Sequence, residues 1–134
     1  MEEAGNEEVK EDEKVSYFFD SYAVIEILKE NPNYAKFKEQ PITIVLWNLA
    51  EIYYHCINSN LEKEADNLYS KFRKSVVEID DETLQEAMKF KKEHKKQDLS
   101  YADCIGYIYA KKHNMVFLTG DKEFENLENV EFVK

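Results

Sequence analysis

The stretch Tyr17-Phe18-Phe19-Asp20-Ser21-Tyr22-Ala23-Val24 decides how the chain is read. Three consecutive β-forming aromatics suit a strand buried on both faces, as in the interior of a parallel sheet. Directly after them Asp20 or Ser21 serves as a helix N-cap, and Ala23, Val24, Ile27 and Leu28 recur at helical spacing. The carboxyl end of such a strand faces the crevice in which open α/β sheets bind ligands. Asp20 is therefore expected on the functional edge.

Outward from this unit, apolar and β-branched runs place further strands at 42–45, 76–79, 115–119 and 130–133. Between them, helical spacing places a short helix at 34–39 and longer ones at 46–57, 61–73, 83–95 and 100–113. Strands alternating with helices along the whole length imply βαβ units. The expected fold is a three-layer α/β/α sandwich around a mainly parallel, about five-stranded sheet. The 134 residues suit one domain, from 15 to 134, preceded by an acidic tail.

That tail, residues 1–14, carries seven acidic and two basic residues and is expected to be disordered. Half of the formal net charge of −10 lies there, so the acidity of the folded part is a weaker objection to a nucleic-acid partner than the total suggests. Hydrophobic residues make up 43% of the chain, enough for a packed core, and no apolar run approaches the roughly 18 residues of a membrane span. The N-terminus has no secretory pattern, and Cys56 and Cys104 are too few for a disulfide framework. A cytoplasmic protein with reduced thiols is expected.

Four carboxylates fall where such a fold converges. Asp20 ends the first strand, and Glu51 lies in the helix after the second. Asp103 sits three residues after Ser100 at the start of a helix that is apolar or small on nearly every side, and Asp121 follows Leu118-Thr119-Gly120 at a strand end. Each has an ordinary explanation taken alone. Asn48, Glu51, His55 and Asn58 share one helix face that could be solvated, while Ser-x-x-Asp resembles a capping box. Asp121 can cap the next helix, and Gly120 supplies an unusual backbone angle.

The coincidence of three at strand-to-helix or helix-start junctions, with Glu51 projecting from a neighbouring helix toward the same crevice, is harder to explain that way. Two carboxylates 4 Å apart repel by roughly 4 kcal/mol at an effective dielectric near 20, so a cluster needs protons or divalent cations. All-oxygen donors select hard ions, Mg²⁺ or Mn²⁺. Such a site suits metal-assisted phosphodiester hydrolysis.

Tyr17-Phe18-Phe19-Asp20-Ser21, Asn48-Leu49-Ala50-Glu51, Ser100-Tyr101-Ala102-Asp103 and Leu118-Thr119-Gly120-Asp121-Lys122-Glu123-Phe124 resemble the four ordered motifs of the PIN domain, in the form carried by VapC-type toxins. The resemblance spans 15–134. It implies a Mg²⁺- or Mn²⁺-dependent endonuclease acting on single-stranded RNA, often a homodimer and often neutralised by a small antitoxin. Carried over residue by residue, it makes Asp20, Glu51, Asp103 and Asp121 the metal ligands, direct or through water. Thr119 would orient Asp121 through its hydroxyl, and Ser21 and Asn48 would support the ligands. With Asp20 a ligand, the helix cap falls to Ser21. The acidic tail is outside the family pattern, and Tyr53-Tyr54-His55-Cys56 replaces a Gly frequent after the helical Glu.

Among the lysines, most of the run Lys89, Lys91, Lys92, Lys95, Lys96 reads as a solvated helix face. Lys89, Lys92 and Lys96, together with Lys122 beside Asp121, are the candidates for RNA phosphates. Two alternatives stand beside this reading. One is a PIN-like module that binds RNA or protein without cutting, which a complete acidic set disfavours. The other is a receiver-like signalling domain with Asp80, at the end of the third strand, as phosphoacceptor. That domain lacks the acidic pair it needs after the first strand.

Overall fold

A computed structural model of the protein describes residues 14–134, so the expected disorder of the acidic tail lies outside the described residues apart from Lys14. Strand β1 (Tyr17–Phe19) is followed by α1 (Ser21–Leu28), α2 (Leu46–Ile57), α3 (Ala65–Arg73), α4 (Asp81–Glu93) and α5 (Tyr101–Lys112). Strands β2 (Val116–Thr119) and β3 (Val130–Phe132) complete the chain. The sheet runs β1-β2-β3 and is parallel throughout, with Phe18 opposite Phe117 and Thr119 opposite Phe132.

Because successive strand residues point to opposite faces, the aromatic run of β1 serves two cores. Phe18 and Phe117 pack with Ile105 and Tyr107 of α5, Ala87 of α4 and Phe124. Phe19 and Leu118 pack on the other face with Val24, Leu49, Ile52 and Phe72, from α1, α2 and α3. Phe18, Phe19, Phe117 and Leu118 have no exposed surface. Full burial of each contributes roughly 1.5–3 kcal/mol, against about 1 kcal/mol for a typical helix cap. The three-layer architecture follows from that alternation.

The strand count is smaller than the sequence suggests: three strands, not five. The segments at 42–45 and 76–79 run parallel to each other, joined by one bridge, Ile44 to Val76, and the first of them hydrogen-bonds to β1. Phe19 N donates to Thr43 O (3.0 Å), and Val77 N donates to Ile44 O (2.8 Å). Neither segment grows into a strand, because helices interrupt both. Val45 is already the N-cap of α2, and Asp80 that of α4. Their β-branched composition reflects burial against the sheet, not strand length. The helix expected at 34–39 is instead the 3₁₀ turn Pro32–Phe37, whose Tyr34 hydroxyl donates to Val133 O at 2.6 Å and ties down the C-terminus.

Two glycines are required by space. A Cβ on Gly106 would lie 2.4 Å from Phe18 Cε1, so its absence lets α5 close on β1. Gly120 does not adopt the unusual backbone angle expected of it, since no described glycine has positive φ. A Cβ there would meet Tyr22 Cε1 at 2.2 Å, so the residue makes room for that ring beside Asp20.

Candidate active site

Asp20 leaves β1 at the carboxyl edge of the sheet and is the N-cap of α1. Its Oδ1 accepts from Ala23 N at 2.7 Å, and its Oδ2 accepts from the Thr119 hydroxyl at 2.5 Å. With both oxygens engaged, the side chain is held in one orientation at 2% exposure. One expectation changes here and one is sharpened. The cap belongs to Asp20 itself and not to Ser21, because one carboxylate oxygen serves the helix while the other accepts from Thr119. Thr119 does meet Asp121 through its hydroxyl, whose oxygen accepts the Asp121 backbone N–H at 2.9 Å, while its proton goes to Asp20.

Ser21 serves Glu51 instead. Its hydroxyl donates to Glu51 Oε1 at 2.5 Å and accepts from Asn48 Nδ2 at 3.0 Å. Asn48 Oδ1 in turn accepts from Val45 N at 2.9 Å, holding an otherwise orphan donor at the start of α2. Asn48 is fully buried, so the face it shares with Glu51 is not a solvated one at that point. A chain of three hydrogen bonds thus runs from the α2 N-terminus to the exposed Glu51 carboxylate.

Asp103 lies in the first turn of α5, where its N–H donates to the capping Ser100 hydroxyl at 3.0 Å. Asp121 caps the short turn Lys122–Phe124 through Glu123 N at 3.0 Å, as expected. All four carboxylates line one open cleft of about 630 Å³. Tyr22, Ser100, Gly120 and Glu123 line it too, and the sequence signalled them only by adjacency to the acids.

The electrostatics tie the four together. Burial, then the Asp103 charge, pushes the Asp20 carboxyl up to about 8, against the opposing hydrogen bonds from Thr119 and Ala23. Burial pushes Asp103 up to about 6, with Asp121 and Glu51 adding to the rise. Without a cation the cleft therefore holds protons near neutrality.

The donor set is all oxygen and fits a hard divalent cation. Among the described residues, however, no three acidic, imidazole or thiol side chains are gathered closely enough to enclose an ion. A cation held in this cleft would have to draw the side chains in.

The expected RNA-contacting lysines do not share one place. Lys122 lines the acidic cleft, Lys92 lines a second cavity next to it, and Lys96 lines a third. Lys89 is exposed on α4. Asp80, the phosphoacceptor of the receiver-like alternative, caps α4 through Thr83 N and is not among the cleft residues.

A family model described as PIN domain matches residues 17–130. The chain belongs to the PIN-domain family. No curated protein sequence matches it. Solved structures do, with the PIN domain aligned over most of its length. A toxin-antitoxin complex from Klebsiella pneumoniae matches at TM-score 0.69 and 18% identity, covering 87% of this chain and 96% of that one. VapBC2 from Rickettsia felis, bound to a DNA fragment from its promoter, matches at 0.63 and 18%, covering 90% and 100%. VapBC-1 from nontypeable Haemophilus influenzae matches at 0.63 and 17%, covering 88% and 96%. At these identities the likeness is one of fold. In this PIN domain no helix among the described residues is long and apolar enough to cross a membrane.

Proposed function

We propose that this PIN domain is a Mg²⁺- or Mn²⁺-dependent endoribonuclease that hydrolyses phosphodiester bonds in single-stranded RNA, and that it is the toxin of a toxin-antitoxin pair. The observation that carries the reading is the convergence of Asp20, Glu51, Asp103 and Asp121, from four separate elements, on one cleft. Buried hydrogen bonds orient Asp20, and a partly buried one orients Glu51. A cluster that raises its own proton affinity is costly to keep unless the same charge is used to hold a cation.

Asp20, Glu51, Asp103 and Asp121 would hold the ion, directly or through water. When bound, it would supply a water activated near neutral pH and neutralise charge on the leaving oxygen. The chain's own residues do the rest. Thr119 keeps Asp20 Oδ2 aimed, and the Ala23 N–H keeps its other oxygen in place. Ser21 and Asn48 fix Glu51. Lys122, on the cleft wall, offers a positive charge to the scissile phosphate.

The antitoxin part rests on the toxin-antitoxin complex among the similar folds. A cytoplasmic location and a homodimer complete the proposal, the latter checked by mass measurement in solution. Incubating labelled single-stranded RNA with Mn²⁺ tests the activity. Cleavage that is stopped by EDTA and by Asp103→Asn supports it. No cleavage of any single-stranded RNA with Mn²⁺ present favours the non-cutting module instead.

A further inference from the structure

Beside the acidic cleft lies a second cavity of about 360 Å³, between the end of α4 and the start of α5. Its size is at the lower end of the roughly 300–1,000 Å³ of small-ligand sites, suited to one nucleotide and not to a longer segment. Lys91, Lys92, Lys95 and Tyr101 are among its lining residues. The run 89–96 holds five lysines and one glutamate in a chain that is acidic overall. Among the described residues none of these lysines has an ion-pair partner.

Tyr101 is 59% exposed at the mouth of this cavity. It is also pre-positioned. Lys91 Nζ stands 4.9 Å from its ring centroid and donates a short hydrogen bond to Leu99 O, so the ammonium covers one face of a residue that keeps more than half of its surface exposed. His94 is fixed behind by its ring contact with Phe90, centroids 4.1 Å apart, and by the bond between its Nδ1 and Phe90 O. Asp98, held in a left-handed turn at φ 55°, contributes the one carboxylate of the cavity.

The two cavities meet at consecutive residues: Ser100 lines the acidic cleft and Tyr101 the basic one. We infer that the Lys91–Tyr101 cavity is a nucleotide subsite that takes one unpaired base of the RNA strand running into the acidic cleft. The inference rests on the ribonuclease reading. The base stacks on the exposed Tyr101, Lys92 and Lys95 hold the adjoining phosphate, and Asp98 accepts from a base amino group or the ribose 2′-hydroxyl. The division of charge has a reason. Four carboxylates repel the strand they act on, so the strand has to be held from a neighbouring cationic site. A base paired in a duplex cannot turn into the cavity, so the subsite also selects single strands.

The test measures affinity without cleavage: a fluorescein-labelled unpaired RNA oligonucleotide titrated with the full chain in EDTA, read by anisotropy. Tyr101→Ala is expected to weaken binding about tenfold, and Tyr101→Phe to leave it unchanged. Lys92→Gln with Lys95→Gln should lower the slope of log K against log salt by about 1.4, the value for two phosphate contacts on a single strand. Binding of duplex RNA should not respond to Tyr101→Ala. Equal affinity of wild type and Tyr101→Ala for the single strand overturns the subsite, as does an equal loss for single strand and duplex. If the subsite fails while Mn²⁺-dependent cleavage persists, the ribonuclease reading stands. If cleavage is absent but Tyr101-dependent binding is intact, only the ribonuclease reading falls.

Discussion

Asp20 and Asp80 are the same local device in two different places. Each caps a helix in extended backbone, at φ −74°, ψ 171° and φ −80°, ψ 169°. Each accepts from the N–H three residues on, at 2.7 Å and 2.8 Å. Yet Asp20 is pushed up to about 8 by burial and by Asp103, while Asp80 is held below the ordinary range by Thr83 and by nearby Lys112 and His113. The cap geometry is shared, so it cannot be the source of the difference. What separates them is the surroundings: three other carboxylates and a sheet edge around Asp20, cations and solvent around Asp80.

The sharpest way to break this contrast is activity. Asp20→Asn should lower Mn²⁺-dependent RNA cleavage on the order of 10³-fold, whereas Asp80→Asn should leave it unchanged. Equal loss in both would mean that helix capping, and not ligation, is what Asp20 supplies. Next comes the residue that aims each acid. Thr119→Val removes the hydroxyl from Asp20 Oδ2 and should cost about 10–100-fold in cleavage or metal affinity. The matching change at the other cap, Thr83→Val, should alter neither.

Stability against pH gives a smaller effect, of opposite sign at the two sites. Asp20 is raised when folded, so the chelated native state binds more protons than the unfolded chain between about pH 4 and pH 8. Its contribution is complete below the unfolded value and is lost as pH rises through about 8. Asp103, pushed up to about 6, acts in the same direction over a narrower range. The melting temperature in EDTA should therefore fall from pH 5 to pH 8, and Asp20→Asn should flatten that decline. Asp80 is lowered when folded, so its contribution is present above the unfolded value and is lost as pH falls through its folded one. Asp80→Asn should therefore lower the melting temperature slightly above about pH 4 and leave it unchanged in more acidic buffer, the smallest of these effects.

The sequence carried one half of this contrast well. The aromatic run before Asp20 marked a doubly buried strand, because side-chain alternation on two covered faces leaves no polar position. No comparable run precedes Asp80; Val76 to Ile79 is β-branched but only partly buried, and it forms a single bridge instead of a strand. Which acids converge was legible for Asp20, Asp103 and Asp121 from their places at strand ends and a helix start, and for Glu51 from its place inside the helix after the second apolar run. What aims them was not. The hydroxyl of Thr119 reaches Asp20 across 99 positions of sequence, and nothing local distinguishes that partner from the adjacent Asp121. Gly120 likewise signalled a backbone angle, when its reason is the Tyr22 ring, a contact that exists only after folding. The lysine run gave charge without position, and only the fold places Tyr101 against Lys91.

The most direct measurement is a calorimetric titration of Mn²⁺ into EDTA-stripped, re-buffered protein at pH 7, on wild type, Asp20→Asn and Asp80→Asn. Saturable binding is expected to wild type and Asp80→Asn, with proton release as the cation displaces the proton held at Asp20, and no binding to Asp20→Asn. Mn²⁺ binding with equal affinity to Asp20→Asn, or no binding to wild type, would contradict the ligand role of Asp20.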